Sequence, residues 1–107
     1  TLLFDAISSA SDNLIKLKNK YPNVILRILA LTDGEDTGSH ISIEKAAEKV
    51  IRNNITIDSF VAGSNCDGLK ALTFAAGGRC YLTRNVEESL KLFEQETVLS
   101  CRARKDE

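Results

Sequence analysis

Apolar positions follow two rhythms along this chain. Between residues 3 and 19, Leu3, Phe4, Ile7, Ala10, Leu14, Ile15 and Leu17 recur near helical spacing, with Ser, Asp, Asn and Lys between them. That spacing predicts an amphipathic helix. Tyr21-Pro22-Asn23 ends it, because proline cannot continue the helical ladder. Val24 to Leu31 is then apolar at nearly every residue, Arg27 excepted. A run of that kind predicts a strand covered on both faces, as at the centre of a parallel sheet.

The helical rhythm returns after an acidic loop from Thr32 to His40. Ser42 is placed to cap a helix running to about Asn53, and Glu44 in its first turn suits the helix dipole. Ile43, Ala46, Ala47, Val50 and Ile51 form its apolar side, while Glu48 and Arg52 stand one turn apart and can pair. Ile55 to Ala62 alternates Ile55, Ile57, Phe60 and Val61 with polar residues, the pattern of a second strand. A loop from Gly63 to Gly68, a short helix from Leu69 to Ala76 and a Gly77-Gly78 turn needing permissive backbone follow. Arg79 to Leu82 is a short third strand. Thr83 or Asn85 caps a last helix from about Val86 to Leu99, and the charged tail 102–107 is expected to fray. Alternation of helices and strands predicts an α/β fold: a partial, doubly wound, Rossmann-like parallel sheet with helices on both faces, in one domain over 1–107.

Composition narrows the function classes. The chain has 107 residues, 43% hydrophobic and 27% charged, with a net charge of −1. That balance gives no electrostatic footprint for nucleic acid or an anionic membrane surface. No apolar run approaches the roughly 18–20 residues that span a bilayer. Cys66, Cys80 and Cys101 are widely spaced, without a CxxC pair or zinc-finger spacing. Such cysteines read as thiols in a reducing compartment, so a cytoplasmic location is expected, with an extracellular one left open. The sequence opens with Thr rather than Met, which reads as a fragment or processed piece.

The chemistry concentrates in Thr32-Asp33-Gly34-Glu35-Asp36-Thr37-Gly38-Ser39. An apolar strand ending in Asp-Gly places a carboxylate at the carboxyl edge of a sheet, where open α/β folds bind ligands. No Lys or Arg is spaced to hold a phosphate, and His40, the sole histidine, lacks a Ser or Cys at a nucleophile elbow. A carboxylate among hydroxyls suits a hard, oxygen-seeking cation such as magnesium, but Asp-Gly at a strand end is also ordinary turn chemistry.

Thr1-Leu2-Leu3-Phe4-Asp5-Ala6-Ile7, Leu31-Thr32-Asp33-Gly34, Ile57 to Gly63, and Leu69, Ala75, Gly77, Gly78 and Tyr81 stand in an order that resembles the C-terminal part of a von Willebrand factor A domain. The resemblance implies a metal-ion-dependent adhesion site, in which Thr1 and Asp33 match two ligand positions for Mg²⁺ or Mn²⁺. Glu35, Asp36, Thr37 and Ser39 would then form the rim of a partner-binding face. An acidic side chain of a protein partner would complete the metal shell, so the implied role is recognition and not catalysis. The family's Asp-x-Ser-x-Ser motif and first strands are absent from this sequence, which implies weak metal binding. It also leaves strand 24–31 as an apolar edge open to self-association. Two rival readings remain: a Mg²⁺-dependent hydrolase or phosphotransfer half-domain using Asp33, and a scaffold module with a vestigial metal site.

Overall fold

The computed structural model describes residues 2–33, 36–63 and 66–106. Helix α1 (Leu3–Lys20), strand β1 (Leu26–Thr32), helix α2 (Ile43–Arg52), strand β2 (Ile55–Ala62), helix α3 (Asp67–Ala75), strand β3 (Cys80–Thr83) and helix α4 (Val86–Asp106) follow one another. The predicted element order is therefore the observed one. The last helix runs on to Asp106, past the expected end at Leu99. The strands form one three-stranded sheet in the order β1-β2-β3, parallel throughout. Leu26 to Thr32 pair with Ile55 to Val61 in unbroken register, and Ser59 to Ala62 pair with Cys80 to Thr83.

Local chemistry explains the boundaries. Ser42 accepts the Lys45 N–H at 3.2 Å and starts α2. Asn54 takes a left-handed backbone, φ 54°, to leave it, a conformation asparagine tolerates better than most residues. Asn85 Oδ1 accepts the Glu88 N–H at 2.9 Å and starts α4. Gly78 is obligatory for a different reason. A Cβ there would lie 1.6 Å from the Ile57 carbonyl oxygen, because the turn before β3 presses against β2.

The two sheet faces are covered unequally. Leu3 and Ile7 of α1, Ala46 and Val50 of α2, and Leu69 and Leu72 of α3 pack with Leu26, Ile55, Ile57 and Val61 into the main core. On the opposite face α4 stands alone. Phe60 is fully buried there, stacked on Tyr81 with centroids 5.0 Å apart and meeting Phe93 edge-on at 5.7 Å. Helices thus lie on both faces, as predicted, three against one.

The central place that the apolar run of β1 predicted is corrected, while the edge that the resemblance implied is found: β2 is the central strand of the described sheet. Among the described residues β1 pairs with β2 alone and forms the sheet's edge. Its continuous apolar run described how much cover it could use, which periodicity cannot turn into a neighbour.

Candidate functional site: the carboxyl end of the sheet

β1 delivers Thr32, buried, and then Asp33, exposed, to the carboxyl end of the sheet. Beside them α1 begins without a cap of its own, since Leu2 offers no side-chain acceptor. The first N–H groups of a helix must find partners, and they find them across the fold. The Phe4 N–H donates to Asp36 Oδ1 at 3.0 Å, and the Asp5 N–H donates to Ser39 Oγ at 3.1 Å. The Ser39 hydroxyl in turn donates to Asp36.

The debt is returned from the helix side. The Asp5 carboxylate accepts the His40 N–H at 2.9 and 3.0 Å and the Ile41 N–H at 3.0 Å. The His40 ring Nδ1 lies 3.1 Å from the same carboxylate, with the side chain otherwise exposed. Two aspartates therefore lock loop 36–41 to the start of α1 from opposite sides.

The electrostatics follow from these donors. The His40 and Ile41 N–H groups hold the Asp5 carboxyl below its ordinary value, with the His40 ring adding to them against partial burial. Burial pushes Asp36 up. The Ser39 hydroxyl and the N–H groups of Phe4, Ser39 and Leu3 outweigh it, so this carboxyl also stays low. A carboxylate accepting several N–H bonds is held in its charged form.

Of the residues singled out from sequence, Thr1 and Glu35 lie outside the described residues. Asp33 and Thr37 stand exposed at the strand end and in the loop. Asp36 and Ser39, expected at the rim, spend oxygens on the α1 N-terminus. Sequence reasoning missed the Asp5–loop lock altogether. The only available signal was an acidic residue in the first turn of α1, which by itself predicts no distant partner.

The described residues do not make a metal centre by themselves. No group of three or more His, Cys, Asp or Glu that could hold a metal ion forms among them, and Asp5 and Asp36 are committed to backbone donors. Magnesium asks for a near-octahedral oxygen shell, so a site of the implied kind would need ligands beyond the described residues.

The described thiols are placed for packing. Cys66 is 3% exposed and belongs to the core. Burial pushes the Cys80 thiol up, against a weaker pull from Lys70. A reactive cysteine instead needs a stabilised thiolate in an accessible place. The cleft between the starts of α1 and α3, lined by Phe4, Asp36, Cys66 and Leu69, has a volume of about 180 Å³. Small-molecule pockets start near 300 Å³. Among the described residues no helix is long and apolar enough to cross a membrane.

No protein-family model matches the chain. Over 98% of its length it is 31% identical to a probable bifunctional E2/E3 enzyme of Acanthamoeba polyphaga mimivirus. The chain spans only 8% of the length of that curated relative. The expectation of a role apart from enzymes is thereby corrected: the long relative that contains the matching stretch is named as a probable enzyme.

Proposed function

We propose that this chain is a protein-recognition module resembling a von Willebrand factor A domain, and that it serves a larger enzyme of the E2/E3 kind by holding a protein partner. The contact surface is the carboxyl end of the sheet, with Asp33 and Thr37 at its centre. The observation that carries this reading is the double lock between loop 36–41 and the start of α1. A loop already tied down loses little freedom when a partner docks, and that lowers the cost of association. The shallow cleft beside it favours a macromolecular surface over a small ligand. The match to one short stretch of a long enzyme supports a module that positions a substrate for ubiquitin-related transfer. The buried Cys66 and half-buried Cys80 thiols support a reducing, cytoplasmic setting.

The test is a transfer assay on the protein that carries this chain, comparing it with an Asp33→Ala/Thr37→Ala variant. Recognition at this surface predicts a KM for the protein substrate raised about 10-fold, which corresponds to about 1.4 kcal/mol of lost binding. A fall in turnover at saturating substrate with KM unmoved would assign these residues to the chemical step and overturn the reading.

A further inference from the structure

The turn into β3 borders a second cleft, at the amino end of the sheet and on its α4 face. Arg27 and Thr56 are register partners on β1 and β2, and Asp58 follows Thr56 on the same side of its strand. Tyr81 reaches that side from β3, where it stacks on Phe60. With Arg79 and the Gly77-Gly78 turn, these residues line about 310 Å³, a size at which ligand sites begin. The charges there do not balance. Asp58 spends both oxygens: Oδ2 accepts from the Arg27 guanidinium, with Nε at 2.8 Å, and Oδ1 accepts the Arg79 N–H at 2.8 Å. One carboxylate therefore stands against two guanidiniums. The Arg79 side chain is exposed and makes no hydrogen bond or ion pair among the described residues. Its backbone is fixed, since its carbonyl also accepts the Ser59 N–H at 2.9 Å. The turn amides are taken as well, because the Gly77 and Gly78 N–H groups donate to the Phe74 and Thr73 carbonyls at 3.0 Å. Binding in this cleft falls to side chains.

We propose that this cleft takes one carboxylate of a protein partner, seated on the Arg79 guanidinium beside the Arg27–Asp58 pair. An exposed arginine alone would be ordinary surface. Here two backbone hydrogen bonds hold its main chain at the border of a cleft, so less freedom is lost when the side chain closes on a ligand. A guanidinium presents a planar fork that meets a carboxylate with two parallel hydrogen bonds. The uncompensated charge is a single one, which a carboxylate cancels and a phosphate dianion would exceed. Thr56 and Tyr81, which line the same cleft, carry hydroxyls able to donate to the remaining lone pairs. The site lies at the opposite end of the strands from Asp33 and does not rest on the role proposed there.

Labelling of arginines by phenylglyoxal, read site by site by mass spectrometry on the protein that carries this chain, tests this without a substitution. Two probes carry one carboxylate each: acetyl-Gly-Gly-Gly with a free chain end, and acetyl-Gly-Glu-Gly-amide with an acidic side chain. Acetyl-Gly-Gln-Gly-amide carries none. The expected result is that at least one carboxylate peptide, at millimolar concentration, slows labelling of Arg79 several-fold. The peptide that protects better identifies the source as a chain end or a side chain. Arg84, whose side chain is 92% exposed beside Glu88, must keep its labelling rate, and the Gln peptide must leave Arg79 unprotected. Protection by neither carboxylate peptide overturns the proposal. So does equal protection of Arg84, protection by the Gln peptide, or stronger protection by inorganic phosphate than by both carboxylate peptides. Arg79→Lys keeps the charge and loses the fork. Calorimetry should show the better peptide bound about 10-fold more weakly by this variant, and an unchanged affinity overturns the seat on Arg79.

Discussion

Strands β1 and β2 are neighbours of similar length, seven and eight residues, with opposite solvent histories. β2 carries Asp58 and Ser59 and is buried almost throughout. β1 carries one charge and is otherwise apolar apart from its terminal Thr32, but Leu31 remains exposed and Ile28 and Leu29 are only half-buried. The difference lies in neighbours. β2 has a strand on each side, α2 and α3 over one face and α4 over the other. Its polar residues survive there because each has partners. Asp58 accepts from the Arg27 guanidinium and from the Arg79 N–H at 2.8 Å. The Ser59 and Thr73 hydroxyls meet at 2.5 Å, and Thr73 donates onward to the Leu69 carbonyl at 2.7 Å. Among the described residues no buried side-chain nitrogen or oxygen lacks a partner. Burial tolerates polarity that is satisfied, and apolar composition does not by itself secure burial.

The largest effect that would break this contrast is loss of the β2 aromatic. Phe60→Ala removes a fully buried ring with two aromatic partners and should cost about 3–5 kcal/mol. Leu31→Ala on β1 should cost under about 1 kcal/mol, because the side chain is already partly in water. Urea midpoints of the two variants measure the gap, and equal losses would show that β1 is as well covered as β2.

A smaller effect separates the two ends of the ion pair that joins the strands. Asp58→Ala leaves a partly buried guanidinium and a turn N–H to find water, which should cost about 2–3 kcal/mol. Arg27→Ala should cost about 1 kcal/mol, because Asp58 keeps the Arg79 N–H as a donor. Thermal unfolding of both variants checks the order, and a larger loss from Arg27→Ala would contradict it.

The smallest effect concerns the lock at the carboxyl end. Asp5 and Asp36 both titrate below their ordinary value of 3.8, so the unfolded chain binds protons more readily than the folded one. The stability they contribute is complete above that value and is lost as pH falls through their lower folded values. Asp36→Ala removes a helix cap, worth about 1 kcal/mol at neutral pH. It should also flatten the decline in acid. Unfolding midpoints across pH 2–7 test this, and an unchanged acid slope in the variant would show that the lock lies elsewhere.

Much of the fold could be read directly from local patterns. β2 was bounded at Ile55 and Ala62 by its alternation, α2 by Ser42 and its apolar stripe, and the Gly77-Gly78 turn by glycine alone. These signals act between residues a few positions apart. The candidate site was less legible. Asp33 could be placed at a strand end from the apolar run before it. The work of Asp36 and Ser39 could not, because their partners Phe4 and Asp5 lie more than thirty residues away. Nothing in the loop distinguishes an aspartate facing solvent from one that caps a distant helix.

The sequence by itself determined which segments are helices and strands, that the sheet is parallel, and that the acidic loop leaves the sheet at its carboxyl end. Hydrophobic period, capping residues and glycine conformation fix these locally. Tertiary structure decided that β2 is central and β1 lies at the edge. It also decided that three helices share one face, and that Asp5 and Asp36 bind backbone from opposite sides of one junction. Those outcomes depend on which surfaces meet once the chain closes on itself. Strand order and long-range hydrogen bonds are properties of that closure, and no local rhythm encodes them.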